Sequence, residues 1–251
     1  MMIVLHERDY AERLMESTDL GAHPTDTLIR IAKLCLSNGC TPNEVRKILE
    51  KHILKCEQSA NLTLWREIID RSIRFAKKYP FVELESIPIY KRELEICNSL
   101  EGVQTRRLMF TLICLARYGN MVNANNNNWV NRQEKDILSL ANLKVSVKRR
   151  SLMFNNLYTL GLIGYSRRVD NLNTSVKCLS DGSDEVVLEI TDFRNLGYQY
   201  MRATGVVSIE CAMCGAVVPK KCNRQMYCPE CADEVNRLKT NERYHKHYAS
   251  S

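Results

Sequence analysis

The sequence predicts a mainly α-helical chain with small β elements, in three segments: a helical domain over residues 1–86, helices followed by strands over 87–205, and a compact cysteine-bearing module over 206–251. Three observations carry this. Apolar residues recur at helical spacing through the first two segments, short strand-like runs bounded by turn residues follow Gly161, and two C-x2-C pairs stand near the C-terminus.

Composition narrows the class. Of 251 residues, 45% are hydrophobic and 26% charged, which is ordinary globular usage and argues against wholesale disorder. No window approaches the roughly 18 uncharged apolar residues of a membrane span, so no membrane partner is expected. The opening MMIVLHERDY places charge directly after a short apolar run, unlike a signal peptide, so a cytoplasmic location is expected. The 11 cysteines are then expected to be thiols or metal ligands rather than disulfides.

In the first segment, Thr25 and Asp26 are expected to cap a helix containing Leu28, Ile29, Ala32 and Cys35, which Ser37-Asn38-Gly39 closes. Thr41-Pro42-Asn43-Glu44 supplies an N-cap, a proline at the first helical position and an acidic first turn. Val45, Ile48, Leu49, His52 and Ile53 share a face of the helix that follows. A longer helix is expected from Leu62 to Tyr79, with Pro80 ending it. No catalytic constellation stands out in this segment, and packing or partner binding is its expected role.

Ile87-Pro88-Ile89 reads as an extended connection, then Glu93–Leu100 and Gln104–Tyr118 as helices. The second contains LMFTLICLA, apolar on nearly every side and so central to a core. GNMVNANNNNWVN, residues 119–131, reads as a surface loop, because asparagine hydrogen-bonds its own backbone and favours turns. Asn131 is expected to cap a short helix with Ile137, Leu138 and Ala141 inward. Asn142–Val145 makes a turn, and Ser146 caps a second helix from Val147 to Leu160. Val147, Arg150, Met153 or Phe154, Leu157 and Leu160 approximate its inner stripe, with Arg150 the poor fit. Leu162–Val169 and Glu185–Thr191, the latter with Val187, Glu189 and Thr191 on one face, then read as the strands of a hairpin, with Val176–Leu179 between them as an alternative strand edge.

The formal charge is +7, and it is uneven. Residues 1–90 carry 13 basic and 13 acidic side chains, whereas residues 91–205 carry 16 against 11. From Ile137 to Val169 stand Lys144, Lys148, Arg149, Arg150, Arg167 and Arg168 with no carboxylate, a single-sign stretch suited to phosphate.

Helix, turn, helix, hairpin in this order resembles a winged helix-turn-helix domain. The resemblance implies that the second helix enters a DNA major groove while the hairpin wing meets backbone. On that footing Ser146, Lys148, Arg149, Arg150 and Asn155 are the helix's contact candidates, Arg167 and Arg168 the wing's, and Lys144 flanks them.

The sharpest local signal is ECAMCGAVVPKKCNRQMYCPEC. Cys211 and Cys214 form one C-x2-C pair, and Cys228 and Cys231 form the other. Four thiolates with no open coordination position suit one structural Zn2+. Gly215 permits a tight knuckle, Pro229 opens a helix through Ala232, Val235 and Leu238, and Cys222 is a spare thiol. His245 and His247 fall beyond the module, in a tail. Knuckle, hairpin and helix resemble a treble-clef or zinc-ribbon finger, whose Lys220 and Lys221 would add phosphate contacts. The combination of modules is similar to small proteins of phages and other mobile elements.

No Walker A loop, G-x-G-x-x-G, H-E-x-x-H or G-x-S-x-G motif is present, so enzymatic activity is not expected. The expected function is zinc-containing nucleic-acid binding, on duplex DNA, in phage or mobile-element replication or transcription control. The alternative is a protein-binding inhibitor or adaptor of a host nucleic-acid-processing or defence complex, like an anti-CRISPR protein.

Overall fold

A computed structural model describes residues 3–166 and 173–248. It is mainly helical, with small antiparallel sheets, and divides into two compact units at residues 1–86 and 87–251.

The first unit holds α1 (Glu7–Glu16), α2 (Pro24–Ser37), α3 (Pro42–Cys56) and α4 (Leu62–Lys78). Helix α2 begins at Pro24 with His23 at the N-cap, so Thr25 and Asp26 lie in its first turn and do not cap it; proline's fixed φ starts the helix earlier. Helix α3 has the capping box, with Thr41 Oγ1 accepting from Glu44 N and the Glu44 carboxylate from Thr41 N at 2.7 Å. Leu28, Ile31, Val45, Leu49, Ile53, Ile69 and Ile73 form the core, Trp65 packs against it, and Leu64 faces solvent.

Helix α1 is absent from the sequence expectation. It is anchored by charge: buried Glu7 accepts from Lys33 Nζ at 2.8 and 2.9 Å and from Val82 N at 3.1 Å, with the Arg30 guanidinium 3.7 Å away. Leu84 N donates to Leu5 O, tying the first strand-like residues to the end of the unit.

The second unit begins with β1 (Ile87–Tyr90), α5 (Lys91–Ser99) and α6 (Val103–Val122). Leu108, Met109, Phe110, Leu112, Ile113 and Cys114 of α6 are fully buried, as an all-round apolar helix requires. Buried Glu93 pairs with Arg117 and accepts from Ser180 N and Tyr90 N, so its charge is met on several sides.

Then come β2 (Trp129–Val130), α7 (Glu134–Leu140), α8 (Val147–Thr159), β3 (Ile163–Tyr165), β4 (Thr174–Val176) and β5 (Val186–Ile190). The hairpin differs from expectation. Strand β3 pairs with β4, which also pairs with β2, giving the sheet order β2-β4-β3. Strand β5 instead pairs with β1, with Ile87 opposite Ile190.

The asparagine-rich segment is not all loop. Helix α6 runs to Val122, a single 3-10 turn covers Ala124–Asn126, and β2 follows. Its amides clamp one another: Asn120 Nδ2 donates to Asn128 Oδ1, and Asn126 Nδ2 to Asn120 Oδ1 and Trp129 O. Helix α7 has Gln133, not Asn131, at its N-cap.

The chain ends with α9 (Leu196–Ala203), the hairpin β6 (Ser208–Glu210) and β7 (Val217–Pro219), and α10 (Pro229–Tyr248). The backbone of His245 and His247 is therefore helical rather than a tail, and their side chains lie outside the described residues. No described helix is long and apolar enough to cross a membrane.

Candidate metal centre and basic surface

The β6–β7 hairpin delivers the first cysteine pair. Cys211 N donates to Ala216 O at 3.0 Å and Gly215 N to Cys211 O at 2.8 Å, closing a knuckle that needs Gly215 at φ 74. The second pair sits where α10 starts: Pro229 opens the helix, and Cys231 N points at Cys228 Sγ, 3.5 Å away. Cys211, Cys214, Cys228 and Cys231 thereby bring their sulfurs within 4.8 Å of one another, a group that can hold one metal ion. Cys214 and Cys228 sulfurs are 3.8 Å apart, far beyond a disulfide bond. Cys222 is exposed and stands outside the group.

Cys211, Cys228 and Cys231 are not alike. Burial acts to raise the Cys211 pKa, but amides of Cys228, Cys214 and Met213 outweigh it and bring the group down to about 6. Burial pushes Cys228 up, while the neighbouring Cys228 thiol and then burial raise Cys231 strongly. Cys211 therefore ionises readily while Cys228 and Cys231 resist, a crowding of negative charge that a bound cation relieves.

The cysteine module is fastened to the helices before it. Arg194 Nη2 donates to Cys214 O at 2.8 Å while its Nε holds Asp192 at 2.8 Å. Asn195 Nδ2 reaches Val217 O at 3.3 Å, and Asn142 Nδ2 donates to Asn195 Oδ1 at 2.7 Å. Arg107 caps the α7–α8 turn, donating to Ala141 O at 2.8 Å and to Asn142 O, with its guanidinium over the Tyr198 ring. None of Arg107, Arg194 and Asn195 was marked by the sequence; the contacts by which they join separate elements span 20 or more residues, and no local pattern announces them.

Helix α8 carries the basic candidates. Ser146 is its N-cap, accepting from Arg149 N at 3.3 Å, so that hydroxyl already has a structural task. Lys144, Lys148, Arg149 and Asn155 are exposed, and α8 contains no carboxylate. Arg149 Nε rests 3.4 Å from Gln104 Oε1, a weak contact, and Arg149 has no ion-pair partner among the described residues. Arg150 differs: its Nε is 2.9 Å from Glu134 Oε2, so it is a half-buried ion pair rather than a free contact residue. Lys220 and Lys221 are exposed just after β7. Arg167 and Arg168 lie outside the described residues.

The inner face of α8 is Met153, Phe154 and Leu157. Val147 and Leu160, expected inside, are 68% and 54% exposed, and Leu152 is 52% exposed. The outer surface of the helix therefore mixes cations with apolar side chains.

No protein-family model matches the chain, and neither a curated protein nor a solved structure shows significant similarity to it.

Proposed function

We propose that the protein is a non-catalytic, zinc-containing protein that binds duplex DNA through a winged helix. The observation that carries this reading is the chain order α6, β2, α7, α8, β3, β4 with sheet order β2-β4-β3, joined to a carboxylate-free α8 whose Lys148, Arg149 and Asn155 are exposed. In a winged helix this is the helix that faces the major groove, where Arg and Lys meet guanine or phosphate and Asn meets adenine. Zinc is the metal of this reading because four cysteine sulfurs around one point suit a closed tetrahedral site that holds fold rather than performs hydrolysis.

The test is a salt titration of duplex binding. Neutralising about six phosphates gives a slope of about −5 for log K against log salt. Replacing Lys148 and Arg149 together by Gln should flatten that slope and weaken binding. Absence of duplex binding by the wild-type protein at low salt would remove this reading.

One observation favours a second reading, a protein-binding adaptor. Val147, Leu152, Tyr158 and Leu160 are exposed on the same helix as the cations, and Tyr158 stacks on exposed Tyr165. A surface of that mixed kind suits an acidic protein partner with an apolar centre.

A further inference from the structure

An open cleft of about 800 Å3 lies between the helix-turn-helix and the cysteine module. Lys135 of α7, Lys144 in the turn and Arg150 of α8 line it from one side, and Val218 of β7 with Pro229 and Glu230 of α10 line it from the other. The Asn142–Asn195 pair, also in its lining, ties the two sides together.

The charges in this cleft are not equivalent. Arg150 is held by Glu134, and the Glu230 carboxylate is turned toward Cys228 Sγ at 3.5 Å. Lys135 and Lys144 are exposed and have no ion-pair partner among the described residues. Helix α8 begins at the rim: Lys144 and Val145 line the cleft, Ser146 caps the helix, and Lys148 and Arg149 occupy the first turn. Cationic side chains thus continue from the first turn of α8 through Lys144 to Lys135.

The cleft is also preformed. Arg107 fixes the carbonyls of Ala141 and Asn142, and Asn195 fixes Asn142 to Val217, so the turn that carries Lys144 has little freedom left to lose on binding. The lining mixes Leu138, Leu143 and Val218 with the Asn142 and Asn195 amides, and its two lysine ammonium groups without ion-pair partners among the described residues match a phosphate-rich chain.

We propose that this cleft holds the phosphodiester backbone of the nucleic acid beyond the stretch met by α8, with Lys135 and Lys144 each contacting a phosphate. The cysteine module then acts as one jaw of the DNA-binding surface and not as a separate finger. This rests on the duplex-DNA reading above, and the experiment separates the two.

Duplex binding by the full-length protein is measured across a salt series for the wild type, for Lys135→Gln/Lys144→Gln, and for the control Lys51→Gln/Lys77→Gln. The control removes the same charge from exposed helix positions of the first unit. Each lost phosphate contact reduces the slope by about 0.9, so the cleft variant should be shallower by about 2 and the control unchanged. A cleft variant with the wild-type slope, or a control that shifts equally, overturns the cleft and leaves DNA binding intact. No duplex binding by the wild type at low salt overturns both.

Discussion

Asn142 and Asn195 meet side chain to side chain although 53 positions separate them, and both hold left-handed backbone, at φ 54 and 56. Asn142 Oδ1 accepts from Tyr198 N at 3.2 Å and Asn195 Nδ2 donates to Val217 O at 3.3 Å. A single chain of hydrogen bonds so runs from the α7–α8 turn through the start of α9 to the β6–β7 hairpin. Asparagine is one of the few residues with a Cβ that enters this backbone region at low cost, and its amide both donates and accepts.

Asn195 therefore does two jobs that substitution can separate. Asn195→Gly keeps the backbone angle and loses the hydrogen bonds, which costs about 1 kcal/mol for each. Asn195→Ala loses the same bonds and adds left-handed strain of about 1 kcal/mol. Urea denaturation should rank wild type above Gly above Ala. If Gly and Ala are equally stable, backbone strain is not what selects asparagine here.

Gly197, two residues on, lies in α9, where alanine is intrinsically better by about 1 kcal/mol. A Cβ at this position would stand 2.0 Å from Ala141 O and 2.8 Å from Arg107 Nε. The first of these is backbone and cannot swing away. Gly197→Ala should therefore destabilise the protein by about 3 kcal/mol, the upper part of the range for overpacking, despite its helix propensity. A neutral or stabilising result in thermal melting would show that α9 and α7 can part without penalty.

What the sequence made legible was local, and what it hid was pairing at a distance. Thr41 with Glu44, Ser146, Gly161 and the two C-x2-C pairs each act within a few residues, so spacing alone locates them. The partner of β3 was only partly visible, because Thr174-Ser175 looks polar and the strand edge expected from Val176 onward in fact ends there. Thr174-Ser175-Val176 is nonetheless fully buried, since β4 is the middle strand between β2 and β3. Glu185–Thr191 showed its alternation correctly, but alternation names no partner, and its mate β1 lies before α5. Helix α1 was obscured by its charge: Glu7 is inside because Lys33 and Arg30, a helix away, are inside with it. Arg150 stood as a misfit in an apolar stripe until Glu134 supplied the reason.

The four-cysteine cluster makes a stoichiometric prediction. Purified without chelators, the protein should carry one zinc per chain by elemental analysis. Cys228→Ser should abolish it, whereas Cys222→Ser should retain it, because only Cys228 belongs to the cluster. Chelation should lower the melting temperature, since part of such a module's folding free energy comes from the ion. Less than half a zinc per chain in the wild type would rule the assignment out.

Glu93 and Arg117 should behave as a buried pair. Glu93 is fully buried and Arg117 nearly so, with the guanidinium also over the Tyr90 ring. Arg117→Met leaves the carboxylate with backbone amides alone and should cost about 3–5 kcal/mol. Adding Glu93→Gln removes the stranded charge and should recover a good part of that loss. Additive losses in the two single variants and the double variant would mean that the pair is not coupled in the folded protein.

His52 gives the first unit a pH dependence whose sign follows from its surroundings. It is buried on α3 with Nε2 3.6 Å from Cys56 Sγ, and burial, then the charge of Lys55, hold its pKa below the ordinary imidazole value of about 6.5. Below about pH 6.5 the unfolded chain takes up a proton that the native chain refuses, so acid favours unfolding. The stability linked to His52 is complete above about pH 6.5 and falls as the pH drops from there toward the lower native pKa. His52→Gln has no proton to exchange and should flatten urea-unfolding stability against pH in that window, even if its absolute stability is lower. A variant with the wild-type slope would assign the acid sensitivity to other groups.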